Sequence, residues 1–255
     1  MNLKDKTILI TGGGSGIGLE AAKQFLEIGA KVIITGRNQD KLDAVKKAFP
    51  TLIAIQSDVE SKEEALLLFE KVKELGGIDI LYNNAGVGVP PQNLGIANEA
   101  HFKGAAYEMD VNYLGVIRLN DLFMEMLKSR RESAIINTTS ILSMVPSLLE
   151  ATYSASKSAL AFYTKSLREH LKIIGANVKV FELLPPLVDT DMVADRDEKK
   201  ISTEQLVKGL ITGLEKDKYT IRVGDSKLIY IFNRFFPKFT FGLINPKNTN
   251  VTLKP

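Results

Sequence analysis

The groups best suited to chemistry stand together in "YSASK" (153–157), which places Tyr153 and Lys157 four positions apart. On a helix that spacing is about one turn, so both side chains face the same way. With reference pKa values of about 10 for tyrosine and 10.4 for lysine, neither is poised for proton transfer at neutral pH. A fixed ammonium beside a phenol favours the phenolate and lowers its pKa. Tyr153 could then give a proton to a carbonyl oxygen or take one from an alcohol. Such a pair often arises by chance, and alone it describes an ordinary helix surface better than an active site, so the elements around it have to decide.

Few other side chains compete for such a role. The absence of cysteine from all 255 residues excludes disulfides, thiol chemistry and thiolate metal sites. His101 and His170 lie far apart without metal-ligand spacing, so no metal is expected. A net charge of +3 from 33 basic and 30 acidic residues is too balanced to point to nucleic acid. With 45% hydrophobic and 25% charged residues, the chain reads as a soluble globular protein with a substantial core. The opening "MNLKDKTILITGGG" lacks the apolar stretch and cleavage site of a signal peptide, which leads us to expect a cytoplasmic protein. No linker or charge block divides the chain, so residues 1–255 are expected to form one domain.

Short apolar runs alternate with longer stretches of helical period. "TILIT" (7–11) is β-branched and uninterrupted, as expected of a strand buried on both faces. "IGLEAAKQFLEIGA" places Ile17, Ala21, Ala22, Phe25 and Ile28 on one helical face and is stopped by Gly29. The alternation continues through "KVIITG" (31–36), a charged helix from Asn38 to Phe49, "TLIAIQSD" (51–58), a helix over 61–76 and "IDILYNNAG" (78–86). A long helical region around 99–129 leads to "SAIINTTS" (133–140). A helix beginning near Thr152, with Leu160, Tyr163, Leu167, Leu171 and Ile174 on one side, precedes "VKVFELLPP" (178–186). "YTIRVG" (219–224) supplies a seventh strand. This pattern predicts an α/β fold: a doubly wound, Rossmann-type parallel sheet of about seven strands with helices on both faces.

"TGGGSGIG" (11–18) joins the first strand to the first helix, with glycines at 12, 16 and 18 permitting a tight turn and close backbone approach. The backbone of Gly12, Ser15, Gly16, Ile17 and Gly18 is therefore a candidate cradle for a dinucleotide pyrophosphate at a helix N-terminus. The second strand ends in "TGRN", where Gly36 stands in place of the acid that usually holds a ribose 2′-hydroxyl, and Arg37 supplies a guanidinium beside it. Such a group suits a 2′-phosphate, which favours NADP(H) over NAD(H). Asp58, followed by Val59, is a candidate for the adenine amino group and serves equally well as a helix cap. Asn84, Ala85 and Gly86 of "NNAG" would lie against the cofactor, while Asn83 or Asn84 could hold neighbouring strands together.

Ser140 closes the fifth strand, where its hydroxyl can bond a substrate oxygen, and Asn112 in "VNYLG" could interrupt its helix and hold a water that relays protons from Lys157. Taken in order, "TGGGSGIG", "NNAG", the "VN" before the fifth strand, Ser140 and "YSASK" make residues 5 to 192 resemble a short-chain dehydrogenase/reductase. The resemblance implies a catalytic tetrad of Asn112, Ser140, Tyr153 and Lys157. In it Tyr153 is the acid/base, Ser140 orients the carbonyl, and Lys157 lowers the tyrosine pKa and grips the nicotinamide ribose. Hydride passes between nicotinamide and a carbonyl or alcohol carbon. Members of that family usually carry Pro-Gly after the sixth strand. Here "PPLVDT" puts Pro186 in the glycine position, while Val188 and Thr190 keep their places for the nicotinamide carboxamide. The proline stiffens that loop and removes an N–H.

Beyond residue 191 the pattern fades. Residues 191–218 are expected to include a charged substrate lid, and Ser202 is a candidate cap for the helix that follows. The segment 226–255 is an aromatic and basic extension whose run "KLIYIFNRFFPKFTFGLINP" is too interrupted by charge to span a membrane. Three readings stay open for it: peripheral contact with an anionic membrane, a cover over an apolar substrate pocket or subunit contact, and packing on its own domain. Within the family the whole-chain pattern, including "PPLVDTDM" and this tail, resembles bacterial DltE-type oxidoreductases. A small-molecule carbonyl or alcohol substrate of apolar character and a homodimer formed through the helices after 99 and 152 complete the expectation. An NAD(P)-binding sensor or membrane-surface protein with little turnover is the alternative on the same fold.

Overall fold

The computed structural model describes residues 1–195 and 198–247. Seven parallel strands form one sheet in the order β3-β2-β1-β4-β5-β6-β7. They are β1 (Thr7–Thr11), β2 (Lys31–Gly36), β3 (Ile53–Gln56), β4 (Ile80–Asn83), β5 (Ser133–Thr138), β6 (Val178–Leu184) and β7 (Thr220–Arg222). The chain crosses from one edge to the sheet centre between β3 and β4, which opens a crevice at the carboxyl ends of β1 and β4. This is the doubly wound α/β architecture expected from the alternation.

Strand alternation sorts side chains onto two cores. Ile8, Ile10, Ile34, Tyr82, Ile136 and Phe181 face α1 (Gly16–Glu27), α2 (Gln39–Ala48) and α7 (Thr203–Glu215). Leu9, Ile33, Leu81, Ile135 and Val180 face the other layer, made by α3 (Lys62–Glu74), α5 (Gly115–Lys128) and α6 (Ala151–Ile173). Full burial of each such side chain stabilises the fold by roughly 1.5–3 kcal/mol. On α6, Leu160 and Leu171 are buried as the period predicts, but Ile174 lies beyond the helix end and is exposed.

Local sequence sets the ends of these helices. Beyond α1, Gly29 has a φ of 84° and the Ala30 N–H returns to the Phe25 carbonyl at 3.0 Å, closing the helix as expected. Asn38, Ser61 and Ser202 cap α2, α3 and α7 by accepting from the N–H of Lys41, Glu64 and Gln205. Asp58 is therefore not the cap of α3, because Ser61 lies at the helix start and Asp58 three residues before it. The helical region after 99 is α4 (Glu99–Met109), a π-helical turn over Asp110–Leu114, and α5. Asn112 sits within that turn, as its amide led us to expect.

A buried amide network holds the centre of the sheet against one layer. Asn83 Nδ2 donates to Asn120 Oδ1 at 3.0 Å and to Asn137 Oδ1 at 2.8 Å, and Asn137 Nδ2 donates to Thr164 Oγ1 at 2.9 Å. Asn84 performs the neighbouring task, donating from Nδ2 to the Thr11 carbonyl at 3.0 Å. Both asparagines thus join strands, and loss of one partner would strand a buried polar group at about 1–3 kcal/mol.

Among the described residues of 191–218, Asp191, Met192, Val193, Glu198 and Lys199 line the crevice. In α7, by contrast, Leu206, Val207, Leu210 and Leu214 are fully buried in the core. The chain then forms two short helices, α8 (Ser226–Phe235) and α9 (Pro237–Ile244). Among the described residues no helix is long and apolar enough to cross a membrane. Residues 248–255 of the extension lie outside the described part of the chain.

Candidate active site

The crevice at the carboxyl edge encloses a cavity of about 640 Å³. Its floor begins at the glycine turn. Gly12 takes a φ of 67°, and a methyl on Gly18 would overlap the Gly12 carbonyl oxygen, so the strand-to-helix turn closes only with glycine at both places. Ser15 precedes α1 in extended conformation without a side-chain cap bond, and Leu19 N–H is bonded to its carbonyl at 3.1 Å. The N–H groups of the first turn are thus left at the helix's positive end, where an anionic group binds well. Gly12, Ser15, Gly16 and Ile17 all line the cavity. These features fit a dinucleotide.

Arg37, Asp58 and Val59 line the same cavity at the ends of β2 and β3. The Arg37 guanidinium donates to the Tyr107 hydroxyl and lies 5.9 Å from that ring's centroid. This hydrogen bond, ahead of the opposing effect of burial, raises its pKa, so it stays charged. Asp58 accepts from Glu60 N–H at 3.0 Å through Oδ1. At the other end Thr190 lies against the glycine turn, its methyl 3.2 Å from where a Gly16 Cβ would stand. The segment carrying Pro186 is tied down by Ile201 N–H to the Leu187 carbonyl at 3.0 Å and Asp189 N–H to the Ile201 carbonyl at 2.9 Å. Val188 and Thr190 both line the cavity.

Ser140, Tyr153 and Lys157 all line this cavity. β5 ends at Thr138, two residues earlier than the sequence suggested, because Ser140 caps the short 3₁₀ turn Ile141–Ser143 by accepting from Leu142 N–H at 3.1 Å. Tyr153 and Lys157 lie on one face of α6, the amine 5.6 Å from the ring centroid. That amine is buried and donates to the Thr138 carbonyl at 3.0 Å. Burial pushes its pKa down to about 8, so the ammonium persists at neutral pH.

Asn112 is fully buried just beneath. Its Oδ1 accepts from Val87 N–H and its Nδ2 donates to the Val87 carbonyl, each at 2.9 Å. Nδ2 also donates to Ser156 Oγ at 3.0 Å, and Ser156 donates to the Tyr153 carbonyl at 2.8 Å. The π turn therefore fastens the loop after β4 to the turn of α6 that carries the tyrosine. A methyl on Gly86 would stand 3.2 Å from both Asn112 Oδ1 and Lys157 Nζ, so Gly86 keeps that space open beside Asn84 and Ala85.

Four participants escaped the sequence reading. Thr138 and Val87 contribute only backbone groups, which no side-chain pattern reveals. Tyr107 meets Arg37 across 70 residues. Ser156, inside "YSASK", was legible in principle, since a hydroxyl three residues after Tyr153 reaches back to its carbonyl.

The Lys157 environment carries a pH signature in the nucleotide-free protein. Between about 8 and the unperturbed 10.5 the unfolded chain holds this proton and the folded chain does not, so stability from this group rises with pH. Lys157→Met should be more stable relative to wild type at pH 7 than at pH 10.5, the difference changing by on the order of 2–3 kcal/mol. Urea unfolding of both proteins across that range measures it, and a pH-independent difference would contradict the burial of a titrating amine.

Comparison with known proteins agrees with the geometry. The short chain dehydrogenase family model matches residues 6–201. The Bacillus subtilis (strain 168) protein named "Uncharacterized oxidoreductase DltE" is 34% identical over 235 residues, covering 87% of this chain and 89% of that protein. A short chain dehydrogenase from Burkholderia cenocepacia J2315, solved in complex with NADP, matches with a TM-score of 0.85 at 27% identity, covering 96% of this chain and 99% of that one. A 3-ketoacyl-(acyl-carrier-protein) reductase from Brucella melitensis, complexed with NADH, matches with a TM-score of 0.76 at 26% identity, covering 83% and 91%. The chain belongs to the short-chain dehydrogenase/reductase family and is an NAD(P)-dependent oxidoreductase of that family.

Proposed function

We propose that the protein interconverts a carbonyl and its alcohol with NADP(H), and that Tyr153 moves the proton. The observation that carries this reading is the meeting of Ser140, Tyr153 and the buried Lys157 ammonium in one cavity, with Asn112 locking the loop beneath them. When bound, the nicotinamide supplies or accepts the hydride. Tyr153 holds the exchanging proton at its hydroxyl oxygen, and Lys157 stabilises the phenolate left when it departs. Ser140 Oγ bonds the substrate oxygen. Asn112 positions the water that replenishes the proton from the Lys157 side.

In this reading the backbone of Gly12, Ser15, Gly16, Ile17 and Gly18 holds the pyrophosphate. Asp58 and Val59 meet the adenine, while Asn84, Ala85 and Gly86 form the floor. Val188 and Thr190 take the carboxamide, and Lys157 also grips the ribose. Arg37 selects the 2′-phosphate, a role supported by its charge and its place in the cavity. The residues left over on the cavity wall, including Leu142, Leu187, Met192 and Leu243, suit an apolar substrate, and the 191–218 region supplies its lid through Asp191, Met192, Val193, Glu198 and Lys199. The exposed Phe102 of α4 and Phe162 of α6 supply the apolar contact of a homodimer. The protein works in the cytoplasm.

Tyr153→Phe should abolish turnover while fluorescence titration still detects NADPH binding; undiminished turnover would remove Tyr153 from the chemistry. Arg37→Ala should weaken NADPH at least about tenfold and leave NADH nearly unchanged, as loss of a charge-assisted contact requires. Equal weakening of both nucleotides in steady-state kinetics would refute the assignment of the 2′-phosphate to Arg37.

A further inference from the structure

The C-terminal helices present an unusual outer surface. In α8 only Ser226 and Ile229 are buried, and in α9 only Thr240. Leu228, Ile231, Phe235, Phe236, Phe239 and Leu243 are each at least half exposed, with Phe235 at 65% and Phe239 at 62%. Apolar area of this kind, gathered on two adjacent helices, marks an interaction surface. The segment 225–247 also carries Lys227, Arg234, Lys238 and Lys247 against the lone acid Asp225.

This pair is fastened to the active-site rim. Asn233 Nδ2 donates to the Met144 carbonyl at 3.1 Å, and Asn245 Nδ2 to the Pro146 carbonyl at 3.0 Å. Leu148 N–H returns to Asn245 Oδ1 at 2.7 Å. Leu243, Ile244 and Pro246 then line the cavity that holds Tyr153. The exposed aromatic face and the mouth of the site are therefore continuous.

We propose that α8 and α9 seat the protein on an anionic lipid bilayer, their aromatic side chains entering the interface and Lys227, Arg234 and Lys238 meeting lipid phosphates. Neither helix can cross the bilayer, and short helices rich in aromatic and basic residues lie in its plane. A second copy of the chain fits this face less well. A two-fold contact would bring two such cationic segments together, with Asp225 the one acid in each to offset the repulsion. An anionic surface complements all three. Seated in this way, the cavity mouth opens at the lipid boundary, where an apolar carbonyl concentrates. The seating goes beyond the catalytic reading and does not depend on it.

Co-sedimentation of the full chain with vesicles of phosphatidylcholine, with and without roughly one-third phosphatidylglycerol, tests the proposal. The wild type should pellet with the anionic vesicles only, and less so in high salt. Reversal of Lys227, Arg234 and Lys238 to Glu should lower the partition coefficient at least about tenfold. Phe235→Ser with Phe239→Ser should lower it comparably, and circular dichroism should show both variants folded. Both should keep wild-type turnover of a water-soluble carbonyl with NADPH, so that seating and catalysis are read separately. Equal wild-type recovery with and without anionic vesicles would overturn the proposal. So would sedimentation velocity showing that these substitutions dissolve a dimer, which would assign the face to a second copy.

Discussion

Lys157 carries an amine into a part of the molecule that water scarcely reaches, and the Thr138 backbone carbonyl receives it at 3.0 Å. Burial disfavours the charge and lowers the pKa of the amine. The resulting pKa of about 8 is a compromise: low enough to register the apolar surroundings, high enough to keep the group cationic at neutral pH. Everything else in the site is arranged around that cation. β5 must end at the right height to present the Thr138 carbonyl, and α6 must start at the right place to carry Tyr153 one turn before the lysine. The loop after β4 must leave Gly86 without a side chain where the amine passes.

Parallel strands supply that arrangement because their carboxyl ends share one edge, and the reversal between β1 and β4 opens that edge into a crevice. The buried asparagines stabilise the crevice where the sheet alone would not. Asn83 and Asn137 bind β4 to β5 and to the helices behind them, while Asn84 binds the loop after β4 to β1. Asn112 does the same for the loop beneath the tyrosine, and the π turn is the irregularity that lets an amide in a helix face a loop. These polar contacts sit in a low-dielectric interior, where each satisfied group rigidifies its neighbours and each lost partner is costly.

The strand and helix sequence was legible because each apolar run was short, β-branched and followed by a segment of helical period, as in "TILIT" before α1. The glycine turn was legible because steric demands fix its residue types, and the approach of Lys157 to Tyr153 because a four-residue spacing is about one helical turn. Strand ends were less so: Ser140 reads as the close of a polar β run, but its hydroxyl takes the Leu142 N–H and starts a turn instead. Asp58 and Ser61 are both good caps by type, and only the backbone decides between them. Tyr107 lay beyond reach altogether, since its partner Arg37 is 70 residues away in the chain and only the tertiary fold brings the two together. The tail resisted reading for a different reason, because its apolar residues follow neither a core stripe nor a membrane-spanning run. Its helices instead expose most of that surface.

The central claim is that the Lys157 cation makes the Tyr153 phenol acidic enough to exchange a proton. Tyrosinate absorbance titrations of wild type, Lys157→Met and Tyr153→Phe, each with oxidised nucleotide bound, address it directly. The account predicts that wild type shows one tyrosine ionising at lower pH than in Lys157→Met, and that this step is missing from Tyr153→Phe. Superimposable titrations of wild type and Lys157→Met would contradict it.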